Sequence, residues 1–397
     1  MNVLVAHNFY QIGGGEDQVY QDEAALLESH GHKVTRFSVH NDDLKNTGKL
    51  AMAKMTVWNG RLAKKIAAII RKEQIEVAHF TNTFPQISPA AYYAARKAGA
   101  AVVQSLHNYR FICPSALFLR DGKVCESCMG KLVPYPAIKY GCYRDSKSAS
   151  AVVAGMLATH RVMGTYQRAV DAYIALTEFG KQKFIEAGLP ADKISVKPNF
   201  VLPDPGEGPG NGGFALFVGR LSKEKGIDVL LRAWEERPGV KLKIIGDGPL
   251  ADQVRAAAAK MPGEIEYLGR KPVEEVIATM GDAACLVFPS VWYEGLPKTI
   301  VESLARGTPV IASKIGAMID LIDHGRTGLH FPTGDAGALA QSVRSLFAYP
   351  QTLADMRTNC RAEFLAKYTA DQNYRQLIAI YESVLHRTPA DVEVSTT

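Results

Sequence analysis

Short β-branched and apolar runs alternate with helical patterns along the whole of this chain. Strands that alternate with helices argue for parallel sheets covered by those helices. In the first half the predicted strands are Val3–Ala6, Val34–Ser38, Glu76–Phe80, Ala101–Leu106, Ala172–Leu176 and Ile194–Lys197. In the second half they are Phe214–Val218, Lys241–Ile245, Ile265–Leu268, Cys285–Phe288 and Val310–Ala312. Between the halves, the proline- and glycine-rich run from Pro203 to Gly213 reads as a linker. The simplest architecture is α/β, with two doubly wound, Rossmann-like domains (1–200 and 201–370) facing each other across a cleft. Residues 371–386 read as a helix with Tyr374, Leu377, Ile378, Tyr381 and Leu385 on one face. This terminal element is set at 371–388, and the tail from Thr388 is expected to be disordered.

The chain's 397 residues are enough for two or three domains. No segment approaches the roughly 18 uncharged apolar residues of a membrane span. The opening Met1-Asn2-Val3-Leu4-Val5-Ala6 is too short, and lacks the basic flank, for a signal peptide. A cytoplasmic protein is expected. The net charge of +6 hides an asymmetry: residues 1–198 balance at +9 and residues 199–397 at −3. Eight basic residues and no acidic one lie between Asp43 and Glu73, with Met52, Met55, Trp58 and Leu62 interleaved. That stretch suits an anionic membrane surface, such as the inner face of the cell membrane; taken alone it is better read as a solvated helix with an apolar side in the core. No nucleic-acid motif accompanies the charge, so no nucleic-acid partner is expected.

The densest chemistry lies in the run from Trp292 to Ile311. Glu294 and Glu302 stand eight positions apart, with a fresh helix start between them. Pro297 suits a first helical position, where its missing N–H costs nothing. Ile300, Val301, Leu304 and Ala305 give the helix an apolar stripe. N–H groups near 296–299 make an anion site, and the two carboxylates can accept from hydroxyls. The run resembles the signature of family 4 glycosyltransferases, retaining enzymes of the two-domain GT-B fold. The resemblance implies that Gly295, Leu296, Pro297, Lys298 and Thr299 line the donor, that Glu294 meets sugar hydroxyls, and that Glu302 holds a ribose. It also implies that the terminal helix crosses back onto the first domain.

Other motifs extend the resemblance across nearly the whole chain. Gly13-Gly14-Gly15-Glu16 follows the first strand, and glycines there let backbone approach a ligand. The run is similar to the family's Gly-Gly-x-Glu element, which places Gly14 and Gly15 against donor phosphate or acceptor; a tight turn is the other reading. Val218-Gly219-Arg220-Leu221 with Lys225-Gly226 matches the family's Gly-Arg-Leu-x-x-x-Lys-Gly pattern. Fixed cations act most strongly where a leaving diphosphate gathers charge, the role implied for Arg220 and Lys225. Gly246-Asp247-Gly248-Pro249-Leu250-Ala251 fits the letters of a dinucleotide fingerprint but contains a proline; the resemblance instead places Gly246 and Gly248 on the nucleotide side of the cleft. His107 closes the strand Ala101–Leu106, and the resemblance puts a histidine there next to the transferred sugar.

Four of the six cysteines cluster: Cys113, Cys125, Cys128 and Cys142. One close pair flanked by single cysteines suits a structural zinc; plain thiols or a redox pair are the other readings. The loop-rich flap from Arg110 to Ser146 carries them all. Asp-x-Asp occurs nowhere, so no metal clamp or other cofactor is expected in catalysis, and Arg220, Lys225 and helix dipoles would hold the diphosphate. The function implied is transfer of a hexose-type sugar, with retention, from a nucleotide diphosphate sugar to a hydroxyl of a glycan or lipid-linked acceptor in cell-surface polysaccharide synthesis. The rivals are a GT-B-fold epimerase or phosphorylase, and a catalytically silent, membrane-docked assembly partner.

Overall fold

A computed structural model describes residues 1–11 and 13–386. The expected disordered tail from Thr388 lies outside the described residues. By contacts the chain divides into two units. The first comprises residues 1–117, 126–198 and the chain from 373 onward; the second comprises 118–125 and 199–372.

The first unit is built on strands β1 (Asn2–Phe9), β2 (Lys33–His40), β3 (Val77–Phe80) and β4 (Ala101–Leu106). A two-stranded hairpin, β5 (Leu119–Arg120) and β6 (Lys123–Val124), interrupts the order and groups with the second unit, where the Phe118 ring lies edge-on to Tyr293. Strands β7 (Ala172–Ala175) and β8 (Ile194–Val196) complete the first sheet. It is all parallel, in the order β2-β1-β3-β4-β7-β8. β3 and β7 are buried along their whole length, as parallel strands covered on both faces must be.

The second unit holds β9 (Phe214–Val218), β10 (Lys241–Ile245), β11 (Ile265–Gly269), β12 (Cys285–Phe288), β13 (Val310–Ser313) and β14 (Gly328–Phe331). The order is β11-β10-β9-β12-β13-β14, again all parallel. Both sheets are doubly wound, so the expected α/β class holds. The sequence reading missed β14. Its residues, Gly-Leu-His-Phe, include no β-branched side chain, and Gly328 is there because a Cβ would lie 2.0 Å from the Val310 carbonyl oxygen.

Two further expectations change in detail. The run from Pro203 to Gly213 is no loose linker. Arg306 Nη1 donates to the Pro205 and Gly206 carbonyls at 2.6 and 2.9 Å, and Arg357 Nη2 to that of Gly208 at 2.6 Å. The flap from 110 to 146 is not one piece, since 118–125 groups with the second unit. The terminal helix, Ala370–Leu385, packs Leu377, Ile380, Tyr381 and Val384 against Val3, Val5, Tyr20 and Val77 of the first unit.

The basic stretch forms two helices, Lys49–Val57 and Gly60–Glu73. In the second, Ala63, Ile66, Ala67 and Ile70 are buried at helical spacing, the arrangement of a core-facing stripe with its basic side in water. Among the described residues no helix is long and apolar enough to cross a membrane.

Candidate active site

In an open doubly wound sheet, ligands bind outside the carboxyl ends of the strands, where the strand order reverses. In the second unit that point falls between β9 and β12. The loop after β9 carries Gly219, Arg220 and Lys225; the loop after β12 carries Glu294 and leads into the helix Lys298–Ala305. Topology therefore gathers the residues that the sequence singled out in this unit.

Close backbone packing fixes the loops. Gly246, at φ 150°, approaches so near that a Cβ would sit 1.9 Å from the Gly219 carbonyl oxygen. Gly248, at φ 155°, stands likewise 2.6 Å from the Leu221 oxygen. Leu221 N donates to the Asp247 carbonyl at 2.9 Å, and Leu250 N to that of Leu221 at 2.9 Å. The glycines of the Gly246–Pro249 turn are thus required to interlock the ends of β9 and β10, which accounts for them without a dinucleotide fingerprint.

Lys225 and Glu294 are brought into direct contact. Lys225 Nζ lies 2.7 Å from Glu294 Oε1, and the same oxygen accepts from Ser290 Oγ at 2.6 Å and Trp292 Nε1 at 2.8 Å. Glu294 is only 6% exposed. Burial strengthens such a charge-assisted cluster, so the lysine is held in place before any ligand arrives. Arg220, by contrast, is exposed, and among the described residues its guanidinium has no protein partner. Its five donors are available to an anion.

The helix expected to open at Pro297 starts one residue later, with Pro297 as its N-cap at φ −64° and ψ 123°. Its first turn contains no acidic residue, leaving the positive end of the helix dipole uncompensated there. Leu296 is buried, and its carbonyl accepts from Asn199 Nδ2 at 3.2 Å. Gly295, Lys298 and Thr299 are half-buried around this helix start, and Glu302 is half-buried one turn further on.

The first unit holds the remaining set. Its strand order reverses between β1 and β3, and Gly13, Gly14 and Gly15 follow β1. Gly14 caps the helix Gly15–Ser29. Its N–H donates to Asp17 Oδ2 at 2.9 Å, Asp17 Oδ1 meets His7 Nε2 at 2.8 Å, and His7 Nδ1 meets Thr81 Oγ1 at 2.8 Å. This chain ties the glycine loop to the ends of both β1 and β3. His107 stands at the end of β4 with its Nε2 buried and lacking a hydrogen-bond partner. Burial pushes its pKa down to about 3, so the ring is neutral at ordinary pH.

Sequence reasoning placed Glu16 in the glycine element without a role. Its Oε2 accepts from Asn108 Nδ2 at 3.2 Å, while its Oε1 is buried with no partner. Burial pushes its pKa up to about 7. The carboxyl is thus held toward its neutral form, in contact with the residue after His107. Ser290 and Trp292, which hold Glu294, were also missed; nothing in their spacing marks them.

No ligand grouping for the expected zinc is seen at the four cysteines among the described residues. Among the described residues no group of three or more histidine, cysteine, aspartate or glutamate side chains is placed to hold a metal ion. Cys113 Sγ lies 3.2 Å from Ser115 Oγ, and Cys128 Sγ points at the Pro134 carbonyl at 3.8 Å.

Two family models cover the chain in succession: Glycosyltransferase Family 4 over residues 12–204 and Glycosyl transferases group 1 over residues 204–363. The chain belongs to the family 4 glycosyltransferases. This glycosyltransferase is 30% identical over 231 residues to the amylovoran biosynthesis glycosyltransferase AmsK of Erwinia amylovora, a match covering 53% of this chain and 56% of that one. It is 34% identical over 162 residues to the D-rhamnosyltransferase WbpZ of Pseudomonas aeruginosa, covering 40% and 42%. It thus spans about half the length of these curated relatives. Its fold matches that of Anabaena HepE, solved in complex with UDP, at a TM-score of 0.70 and 18% identity over 96% of this chain and all of that one. Sucrose-phosphate synthase from Thermosynechococcus elongatus gives a TM-score of 0.71 at 16% identity, covering 97% and 99%. The GT-B fold of the glycosyltransferase is thereby established.

Proposed function

We propose that this glycosyltransferase moves a hexose-type sugar, with retained configuration, from a nucleoside diphosphate sugar to a hydroxyl of a glycan or lipid-linked acceptor in cell-surface polysaccharide synthesis. The observation that carries this reading is the cation pair at the switch point of the second sheet. Arg220 is exposed and unpartnered among the described residues, while Lys225 is clamped by Glu294, and the helix start that follows has no carboxylate in its first turn. That set suits two linked phosphates. Solved relatives bound to UDP and UDP-glucose make a UDP-sugar the first donor to try.

As the glycosidic bond breaks, negative charge gathers on the diphosphate, and preorganised cations stabilise that stage more than the ground state. Arg220 and Lys225 would supply this. Glu294, held by three donors on one oxygen, would orient Lys225 and present its carboxylate to sugar hydroxyls. Glu302 would hold the ribose. The acceptor proton would pass to the departing phosphate on the same face of the sugar, which is how configuration is retained without a covalent intermediate. Neutral His107 would face the donor sugar, and Gly14 and Gly15 would meet donor phosphate or acceptor.

A thermal-shift and slow-hydrolysis screen against UDP-, GDP-, ADP- and TDP-sugars tests this. One donor should both stabilise the fold and be hydrolysed. With that donor, Arg220→Ala plus Lys225→Ala should lower kcat at least ~100-fold, as losses of oxyanion-type donors do. Glu302→Ala should mainly raise KM. Normal turnover in the double variant would sink the assignment.

A further inference from the structure

The first unit contains a cavity of about 500 Å³ that none of the roles above uses. Two helices wall it. Lys49, Met52, Ala53 and Thr56 recur at helical spacing along Lys49–Val57; Ser148, Ala149, Val152 and Val153 do so along Lys147–Val162. Its floor is apolar. Phe84 and Val153 are buried and belong to a hydrophobic cluster with Met156, Leu157 and Tyr166, against which Tyr143 packs.

The mouth is of opposite character. Lys45, Lys49 and Arg144 line it and are exposed, and among the described residues no carboxylate lines the cavity. Lys45 shares its charge with Asp42 at 2.9 Å; Lys49 and Arg144 make no ion pair among the described residues. Both walling helices begin at this end, and neither has an acidic residue in its first turn. Placing Lys49 at a helix start sets a cation against the positive end of a dipole, an arrangement that an anion relieves. A few hundred cubic ångströms is ligand-sized, and an apolar body with a few charged groups at one end is the common plan of a binding pocket.

We propose that this cavity binds an amphiphile with an apolar chain and a phosphate-type head group, the chain lying along Met52, Phe84 and Val153 and the head group between Lys49 and Arg144. The assignment rests on the transferase reading in one respect: that amphiphile is then the carrier end of a lipid-linked acceptor. It commits to a single lipid molecule in the cavity rather than to a bilayer surface.

Titration calorimetry on the full chain tests it, with farnesyl diphosphate as the probe and farnesol and inorganic diphosphate as its separate halves. The whole probe should bind at least tenfold tighter than either half. Ala53→Phe, which fills the cavity, and the pair Lys49→Glu with Arg144→Glu, which reverses its mouth, should each weaken binding at least tenfold. The charge reversal lies at exposed positions, so it remains informative if the filled variant fails to fold. Absence of binding, equal binding of a half, or wild-type binding by a folded variant overturns the proposal. A third arm uses phosphatidylglycerol vesicles. Co-sedimentation that the charge reversal abolishes and Ala53→Phe leaves intact, without farnesyl diphosphate binding, would give the cations to a membrane surface and overturn the cavity. Donor hydrolysis by the wild-type preparation separates the two readings: hydrolysis without lipid binding removes this site alone, and lipid binding without hydrolysis removes the transferase reading alone.

Discussion

Glu16 and His107 are both shifted by burial, in directions that leave each closer to neutral than its solvent value. The consequences for stability have opposite signs. His107, depressed to about 3 in the folded protein, contributes stability that is complete above its unfolded value near 6.5 and is lost as pH falls through that window. Glu16, raised to about 7 from 4.5, costs the fold nothing at pH 4 and progressively more as pH rises through 7. Glu16→Gln should therefore stabilise the protein by on the order of 1–2 kcal/mol at pH 8 and much less at pH 5. Melting curves at the two pH values check this; an equal shift at both would show that the carboxyl is not held up. If Glu16 also handles a proton in turnover, the same variant should flatten the limb of the pH–rate profile near 7. Little of this was legible beforehand. A histidine at a strand end and a glutamate after glycines can be found by eye, but the desolvation that sets their charge is a property of the assembled unit.

At the scale of elements, alternation of pattern located eleven of the twelve strands of the two sheets, because four or five consecutive apolar residues are needed to bury a parallel strand on both faces. β14 escaped because its neighbour's backbone, rather than a side-chain preference, selects its first residue. The motifs around Arg220, Lys225 and Glu294 were legible for a related reason. Arg220, Lys225 and Glu294 sit on loops whose glycines are dictated by close backbone approach, so spacing and geometry are coupled. Gly246→Ala tests that coupling. The new methyl would meet the Gly219 carbonyl oxygen at 1.9 Å, at a φ that alanine resists. A loss of about 2–4 kcal/mol in stability is expected, measured by denaturant melts. The cysteines are the opposite case: their spacing suggested a shared metal, and spacing carries no information on side-chain direction, which decides ligation.

For the molecule as a whole, the helix Ala370–Leu385 is a structural member of the first unit. Tyr381 OH meets His79 Nδ1 at 2.8 Å, and Asn373 Oδ1 accepts from Lys197 Nζ at 3.2 Å. Lys197 in turn pairs with Glu23 at 2.5 Å, both 1% exposed. Four buried apolar side chains at about 1.5–3 kcal/mol each make the helix's contribution comparable to the stability of a whole domain. Ending the chain after Thr369 should therefore unfold the first unit while the second keeps a cooperative melt. Hydrogen exchange resolved by segment distinguishes the two; full protection of β1 and β3 in the truncated protein would refute it.

That division of the first unit between the two ends of the chain has a consequence during synthesis. The ribosome releases β1 to β4, β7 and β8 before the second unit, yet their core lacks the helix Ala370–Leu385 until the second unit has been made. The second unit is complete by then. A cell making this protein therefore carries, while the second unit is being synthesised, a nascent chain whose first sheet displays an unfilled apolar face, and such a chain is a natural client for a chaperone that binds apolar surface.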